Sequence, residues 1–165
     1  MLLTVIDYGV GNLRSIAKSI EKANSDNNLN YSVKVSSDIL DVKKSDKIVL
    51  PGQGSFKACK AGIDNIKGMQ AELSASKLKI PHMGWNELKI KNSSKVFQDI
   101  NKNDHAYFIH SYEFIPDDKT VISLTSDYGK EVMAAVSLEN IFGSQFHPEK
   151  SQITGIKILT NFLNL

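Results

Sequence analysis

The chain has 165 residues, of which 41% are hydrophobic and 23% are charged, and its formal net charge at pH 7 is +2. That length and composition suffice for one globular domain with its own core. Charges of both signs are mixed along the sequence and no apolar run is long enough to span a membrane, so we expect neither a nucleic-acid nor a membrane partner. The single cysteine, Cys59, excludes an internal disulfide and favours a reducing compartment, so we expect a cytoplasmic protein.

Short apolar runs alternate with helical patterns in the first third of the chain. Residues 2–6 are predicted as a first strand rather than a signal peptide, and a helix is expected from Leu13. Further strands are expected at residues 31–35 and 47–50, separated by a short helix that Ser37 or Asp38 would cap. This alternation predicts a three-layer α/β fold with parallel strands.

The rest of the chain follows a different pattern. Residues 56–73 have helical character, but no further strand or helix is evident between them and residue 86. A meander of hairpins is predicted beyond, from short strands at residues 107–109, 121–124, 132–136 and 141–142 and a turn at residues 127–129. A final helix is expected to turn four apolar side chains towards the core: Ile156, Leu159, Phe162 and Leu163.

A histidine and a glutamate lie two residues apart in the string Gln-Phe-His-Pro-Glu-Lys at residues 145–150. A catalytic imidazole needs a partner on its second ring nitrogen to fix its tautomer. With Pro148 between them, extended geometry would put His147 and Glu149 on the same side, where Glu149 could orient the ring. The alternative is a surface histidine and glutamate in an ordinary turn.

Two glycines flank Gln53 directly after the third predicted strand. Backbone N–H groups at such a strand end can turn towards a ligand, as in an oxyanion hole, although a plain turn is the alternative. The glycine-containing loop at residues 9–12 lacks the third glycine of a dinucleotide fingerprint and the lysine of a P-loop, which excludes both motifs.

Five strings in a fixed order carry a resemblance to a known family. They are IDYGVGNLRS at residues 6–15, LPGQGSF at 50–56, PHMGWN at 81–86, YFIHSY at 107–112 and GSQFHPEKS at 143–151. On these strings the chain resembles the class I glutamine amidotransferases, and among them the glutaminase subunits of imidazole glycerol phosphate synthase. The resemblance implies one domain over residues 1–165 with a flavodoxin-like α/β fold, a mostly parallel central sheet and a C-terminal hairpin region.

The resemblance also implies roles for individual residues. His147 would be the base that activates a nucleophilic cysteine and Glu149 its orienting acid, while Gly52 and Gln53 would form the oxyanion strand. The substrate L-glutamine would be held by the strand of His110, Ser111 and Tyr112. The partner would be a cyclase with a (β/α)₈ barrel that receives the ammonia for histidine biosynthesis, and six residues would face it: Val10, Asn12, Trp85, Asn86, Tyr107 and Lys150.

The segment that should carry the nucleophile departs from the family. The family has Gly-Ile-Cys-Leu-Gly-Met-Gln on a strand-to-helix elbow between the oxyanion strand and the PHMGWN string, and here that interval is too short for it. Residues 68–70 (Gly-Met-Gln) match only the end of the elbow, within a helical pattern. We therefore predict that a central strand-helix unit is missing, with the chain shortened between about residues 73 and 80.

The remaining candidate groups do not restore this chemistry. Cys59 lies on a helical pattern away from a sharp turn, so we do not expect it to replace the nucleophile. His82, His105 and His110 are not spaced as metal ligands, and no metal or cofactor is expected. The chain is thus predicted to be an amidotransferase subunit without glutaminase activity. The alternatives are a non-catalytic scaffold of the cyclase, a sequence artefact in an active parent, or an amidotransferase subunit for a sugar-modifying enzyme.

Overall fold

The structure is a computed structural model that describes residues 1–52 and 75–165. The chain forms two compact units, one containing residues 1–52 and the other residues 75–165. Gln53, Cys59 and the helical pattern predicted at residues 56–73 lie outside the described residues. In the part of the chain that the structure describes, no helix is long and apolar enough to cross a membrane.

The first unit is built on a three-stranded parallel sheet. β1 (Leu2–Ile6) lies in the middle, between β2 (Ser32–Ser36) and β3 (Lys47–Val49). α1 (Leu13–Asp26) follows β1, and α2 (Ile39–Lys44) follows β2. The predicted alternation of strands and helices, with parallel pairing, is confirmed in this unit.

The residues of β1 and α2 explain these positions. β1 can occupy the centre of the sheet because its apolar run is buried, with Leu3, Val5 and Ile6 almost fully shielded from solvent. α2 begins after Asp38, whose side chain accepts a hydrogen bond from the backbone N–H of Leu40 at 2.8 Å. Of the two predicted candidates, Ser37 and Asp38, it is therefore Asp38 that caps the helix.

The second unit contains two antiparallel sheets and a C-terminal helix. The elements of the first sheet are β4 (Ala75–Glu87) and β6 (His105–Phe114). The other sheet contains four strands: β5 (Lys89–Ile90), β7 (Ile122–Asp127), β8 (Glu131–Leu138) and β9 (Ile141–Ser144). They lie side by side in the order β5-β7-β8-β9. The helix is α3 (Gln152–Asn164). The predicted hairpin region is confirmed, whereas the expectation of no strand before residue 86 is wrong.

β4 is not predicted from the sequence because two of its residues are typical strand breakers. Pro81 lacks a backbone N–H and Gly84 has a φ of 137°, and both usually indicate a turn or a bulge. The strand accommodates Pro81 at an irregularity, where the pairing with β6 shifts register between Lys77 and His82. Beyond that shift, His82 lies opposite His110 and regular antiparallel pairing continues to the end of β4.

α3 presents a different face to the core from the one predicted. Leu163 is buried as expected, but the buried stripe also contains Thr154, Gly155, Ile158 and Asn161, while the other three predicted residues are only half-buried. The cause is close packing at Gly155, where an added Cβ would lie 1.8 Å from the Pro148 carbonyl oxygen. This contact brings the stripe of small and polar residues inward.

Candidate active site and its surroundings

His147 and Glu149 form a hydrogen-bonded pair just before α3. His147 Nδ1 lies 3.0 Å from Glu149 Oε1, and the two side chains are only 15% and 4% exposed. The predicted contact is confirmed, but the expected extended geometry is wrong, since residues 148–150 form a turn of 3₁₀ helix that begins at Pro148. Because the carboxylate can only accept, the proton lies on Nδ1, and Nε2 is the nitrogen that could take a proton from a nucleophile.

The environment of Glu149 keeps it ionised. Burial alone would raise the pKa of Glu149, but the hydrogen bond from His147 and the charges of His147 and Lys150 outweigh it, so the pKa lies below its ordinary value. A buried carboxylate held in this way orients the imidazole and stabilises its protonated form.

β6 and a buried hydroxyl fix the backbone of His147. The His147 N–H donates to the Tyr107 carbonyl at 2.9 Å, and Ser151 Oγ donates to the His147 carbonyl at 2.7 Å. The same hydroxyl accepts a hydrogen bond from the Tyr107 N–H at 3.0 Å. This role of Ser151 is not predicted from the sequence. A serine before a helix suggests an N-cap, but here the hydroxyl makes no capping bond and bridges to β6 instead.

Gly52 follows β3 in the first unit and is exposed. The Tyr8 hydroxyl donates a hydrogen bond to the carbonyl of the preceding residue, Pro51. Gly11 comes so close to Pro51 that an added Cβ would lie 3.1 Å from Pro51 Cβ. Gly11 has a φ of 104°, which favours glycine and allows this close approach. Of the two residues predicted to form the oxyanion strand, the structure describes Gly52, whereas Gln53 lies outside the described residues.

The other two site residues of the first unit have local structural roles. Val10 packs against a small cluster that contains Ile6 and Val42. Asn12 caps α1, because its Oδ1 accepts a hydrogen bond from the Ser15 N–H at 3.3 Å. Their predicted role in partner contact stays a prediction.

Three of the predicted partner-facing side chains lie together in the second unit. Trp85 and Tyr107 are opposite each other in the β4–β6 pairing, and their rings meet edge to face at 5.8 Å. Lys150 Nζ lies 5.8 Å from the centroid of the Tyr107 ring. The next pair on this face, Met83 and Ile109, is also exposed. We call these five residues the aromatic face. Three of them, Met83, Trp85 and Ile109, are exposed apolar side chains, and such a group around an aromatic pair is typical of an interaction site.

Asn86 does not belong to the aromatic face. Successive residues of a strand point to opposite sides, so Asn86 and Trp85 diverge. The Asn86 Nδ2 donates to the Asp127 carbonyl at 2.9 Å and lies 3.0 Å from His82 Nε2. The amide that the resemblance assigns to partner contact therefore bonds within the chain.

The predicted glutamine-holding residues lie in β6. His110 Nδ1 donates to the Tyr112 carbonyl at 3.0 Å, Ser111 is half-buried and Tyr112 is exposed. Burial lowers the pKa of His110, and the Tyr112 carbonyl and Glu113 only partly oppose this shift. Among the described residues, no group of three or more His, Cys, Asp or Glu could hold a metal ion.

Comparison with known proteins decides the family. The profile of the family described as glutamine amidotransferase class-I matches residues 66–165. This chain belongs to the class I glutamine amidotransferases. It is 38% identical to the imidazole glycerol phosphate synthase subunit HisH of Pelagibacter ubique (strain HTCC1062), with all of both chains covered. It is 39% identical to the HisH subunit of Azospirillum brasilense, with 98% of this chain and 96% of the relative covered. The predicted resemblance to this subunit family is confirmed.

A solved structure supports the fold. A protein of Thermoplasma acidophilum, provisionally named as a GMP synthase subunit, superposes with a TM-score of 0.70 at 19% identity, covering 99% of this chain and 92% of its own. The predicted α/β class is thus confirmed.

The alignment with the Pelagibacter relative spans 211 positions whereas this chain has 165 residues, so 46 positions inside the alignment have no counterpart here.

Proposed function

We propose that this chain is the glutamine amidotransferase subunit of imidazole glycerol phosphate synthase and serves histidine biosynthesis. The observation that carries this proposal is the similarity to HisH subunits over the full length of both chains. The His147–Glu149 pair supports it, because an imidazole held by a carboxylate is what the activation of a thiol requires. We expect a cytoplasmic protein with L-glutamine as substrate, and no metal, cofactor, nucleic-acid or membrane partner.

The family reaction defines what each residue would do. A thiolate attacks the side-chain amide carbon of glutamine, the C–N bond breaks and ammonia leaves, and water then hydrolyses the thioester to glutamate. His147 would take the thiol proton and return it to the departing ammonia, while Glu149 holds the ring. The backbone at Gly52 and Gln53 would stabilise the oxyanion, and residues 110–112 would hold the glutamine.

We further propose that this chain does not hydrolyse glutamine, because no cysteine stands where the family has its nucleophile. The 46 alignment positions without a counterpart support a missing strand-helix segment, which we place between about residues 73 and 80 of a single domain. The sequence around Cys59, Phe-Lys-Ala-Cys-Lys, does not have the pattern of an elbow. An imidazole–carboxylate pair with no thiol beside it cannot form a thioester.

A covalent probe tests this part of the proposal. A diazoketone analogue of glutamine alkylates an activated thiol, and intact-protein mass spectrometry detects the adduct. We expect no adduct on the wild-type chain, and a Cys59→Ser variant provides the baseline. An adduct that disappears in Cys59→Ser would overturn the proposal, and extra codons found on resequencing between Leu73 and Lys79 would overturn it in favour of an artefact.

The aromatic face supports a docking function that does not need hydrolysis. Trp85 is 44% exposed although it packs against Tyr107, and exposed aromatic side chains of this kind often dominate binding energy. We therefore propose that the chain still docks on the (β/α)₈ barrel of the cyclase, which would then use free ammonia.

Calorimetry with the purified cyclase tests docking. Trp85→Ala should weaken binding by about tenfold or more, equivalent to about 1.4 kcal/mol, because it removes the largest apolar group of the aromatic face. Ile141→Ala is the matched control, since Ile141 is an exposed apolar residue of β9 outside that face, and it should leave the affinity unchanged. If the wild-type chain does not bind the cyclase at micromolar concentration, the docking proposal fails and the sugar-modifying alternative gains support.

A further inference from the structure

His82 is a buried residue that the reaction described above does not use. It is 1% exposed and lies between two aromatic rings, stacked on Phe108 at 4.4 Å and on Tyr128 at 4.1 Å, with interplanar angles of 11° and 15°. The ring cannot rotate out of its plane without losing both contacts. The stacking therefore fixes the plane of the ring, and the hydrogen-bond partners of its two nitrogen atoms fix the orientation of the ring within that plane.

The partners of these nitrogens determine the tautomers of two histidines. The Tyr112 carbonyl can only accept, so His110 Nδ1 donates to it and the neutral His110 ring accepts at Nε2. His82 Nδ1, 2.9 Å from that nitrogen, therefore donates. His82 Nε2 is left to accept from the Asn86 amide at 3.0 Å, whose orientation is fixed by its second bond, to the Asp127 carbonyl.

The result is a continuous chain of hydrogen bonds, which we call the histidine relay: Asp127, Asn86, His82, His110 and Tyr112. Every donor in the relay meets an acceptor only if both rings are neutral and carry their proton on Nδ1. An additional proton on either ring would point a donor at another donor.

The relay lies where the backbone pairing of β4 and β6 is weakest. The register shift between Lys77 and His82 interrupts the regular ladder around Ser111. On one side of the interruption Lys77 pairs with Tyr112, and on the other His82 pairs with His110. The side-chain bonds thus supply the restraint that the ladder does not provide at this point.

We propose that His82 is a positioning residue, which sets the backbone of residues 110–112 by holding the His110 ring against the Tyr112 carbonyl. The inference rests on the proposed function in one respect, which is that residues 110–112 hold glutamine. His82 itself does not touch substrate. Its effect passes through the Nδ1–H bond to His110, and from the His110 Nδ1–H to the backbone of the strand.

Three variants distinguish the positioning role of His82, which depends on its hydrogen bonds, from the packing of its ring between Phe108 and Tyr128. His82→Phe keeps an aromatic ring between Phe108 and Tyr128 but removes both nitrogens. His82→Asn places an amide N–H near the position of Nδ1 and so retains the donor to His110. His105→Asn is the control, since His105 is an exposed histidine of β6, the strand of His110, and lies outside the relay.

Nitrogen-15 NMR of the full chain, labelled at histidine and at the backbone, gives the first readout. We expect both relay rings to be neutral Nδ1–H tautomers at pH 7, although a free histidine side chain prefers the other tautomer. His82→Phe should release His110 from this tautomer and shift the amide signals of Ser111 and Tyr112, and His82→Asn should restore both. An unchanged His110 in His82→Phe, or an Nε2–H ring in the wild type, would overturn the proposal.

Calorimetric titration with L-glutamine gives the second readout. His82→Phe should weaken glutamine binding by about fivefold, as expected for the loss of one hydrogen-bonded restraint, while His82→Asn stays within about twofold of the wild type. Unchanged affinity in His82→Phe despite the shifted NMR signals would overturn the positioning role. A wild type that fails to bind glutamine at all would instead count against the proposed glutamine site, and the NMR result would still decide whether the relay sets the strand.

Discussion

Acid should destabilise the second unit through His82. Burial, with a smaller effect of the nearby His110, lowers the pKa of His82 from 6.5 to about 4. In the unfolded chain the ring regains an ordinary pKa, so the unfolded chain binds the proton first as the pH falls. The stability that His82 confers is therefore complete above about pH 6.5 and is lost as the pH falls towards about 4.

The size of this effect follows from the gap between the two pKa values. About 2.5 pH units at about 1.4 kcal/mol each give a total loss of about 3–4 kcal/mol, of which about 2 kcal/mol falls between pH 7 and pH 5. The groups that face the ring are His110 from β6, Asn86 from β4 and Tyr128 from the β7–β8 turn. Burial also lowers the pKa of His110, although Glu113 partly opposes that shift, so His110 adds to the loss in the same direction.

Urea unfolding at pH 7, 6 and 5 measures this loss of unfolding free energy. Trp85 is the only tryptophan of the chain and lies in β4, so its fluorescence reports on the unfolding of the strand that carries His82. His82→Phe keeps the stacked ring and cannot take up a proton. Between pH 7 and pH 5 the wild type should lose about 2 kcal/mol more unfolding free energy than this variant. Parallel losses in the two proteins would show that protonation of His82 is not the source of the acid sensitivity.

Two substitutions should destabilise the second unit at neutral pH. Gly155→Ala would place a Cβ 1.8 Å from the Pro148 carbonyl oxygen, a backbone atom that cannot move aside, so we expect a loss of about 3 kcal/mol or more in urea unfolding. Glu113→Ala removes the acceptor of the Met133 N–H, at 3.0 Å, and the buried partner of Lys130, so we expect a loss of about 1–3 kcal/mol by the same assay.

Each of these substitutions has a matched control. Gly129 has nothing within 4 Å of its added Cβ, and its φ is 72°, so Gly129→Ala should cost only about 1 kcal/mol of backbone strain. Glu131 makes an exposed ion pair with Lys91, so Glu131→Ala should leave the free energy of unfolding almost unchanged. Equal losses in a substitution and its control would contradict the structural explanation.

Local patterns in the sequence were sufficient for the first unit and for the hairpins. Apolar runs, a capping aspartate at residue 38 and a turn at residues 127–129 act over a few residues, so their structural consequence can be predicted without knowledge of the fold. β4 could not be predicted in this way. Its pairing with β6 overrides the breakers Pro81 and Gly84, and pairing partners are not encoded locally.

The same distinction applies to the candidate site. His147 and Glu149 are two residues apart, so their hydrogen bond could be anticipated from spacing alone, although the 3₁₀ turn between them could not. His82 and His110 are 28 positions apart, and their contact depends on the register of two strands. Ser151 is similar, because its hydroxyl reaches the backbone of a distant strand instead of capping its own helix.

Glutamate release by the purified complex of this chain with the cyclase shows whether the chain hydrolyses glutamine. With glutamine as nitrogen source, the complex should release no more glutamate than a complex made with the His147→Ala variant, because His147 has no thiol to activate. With ammonium supplied instead, the cyclase should turn over in both complexes. Glutamine-dependent glutamate release that His147→Ala abolishes would show instead that this chain is an active glutaminase.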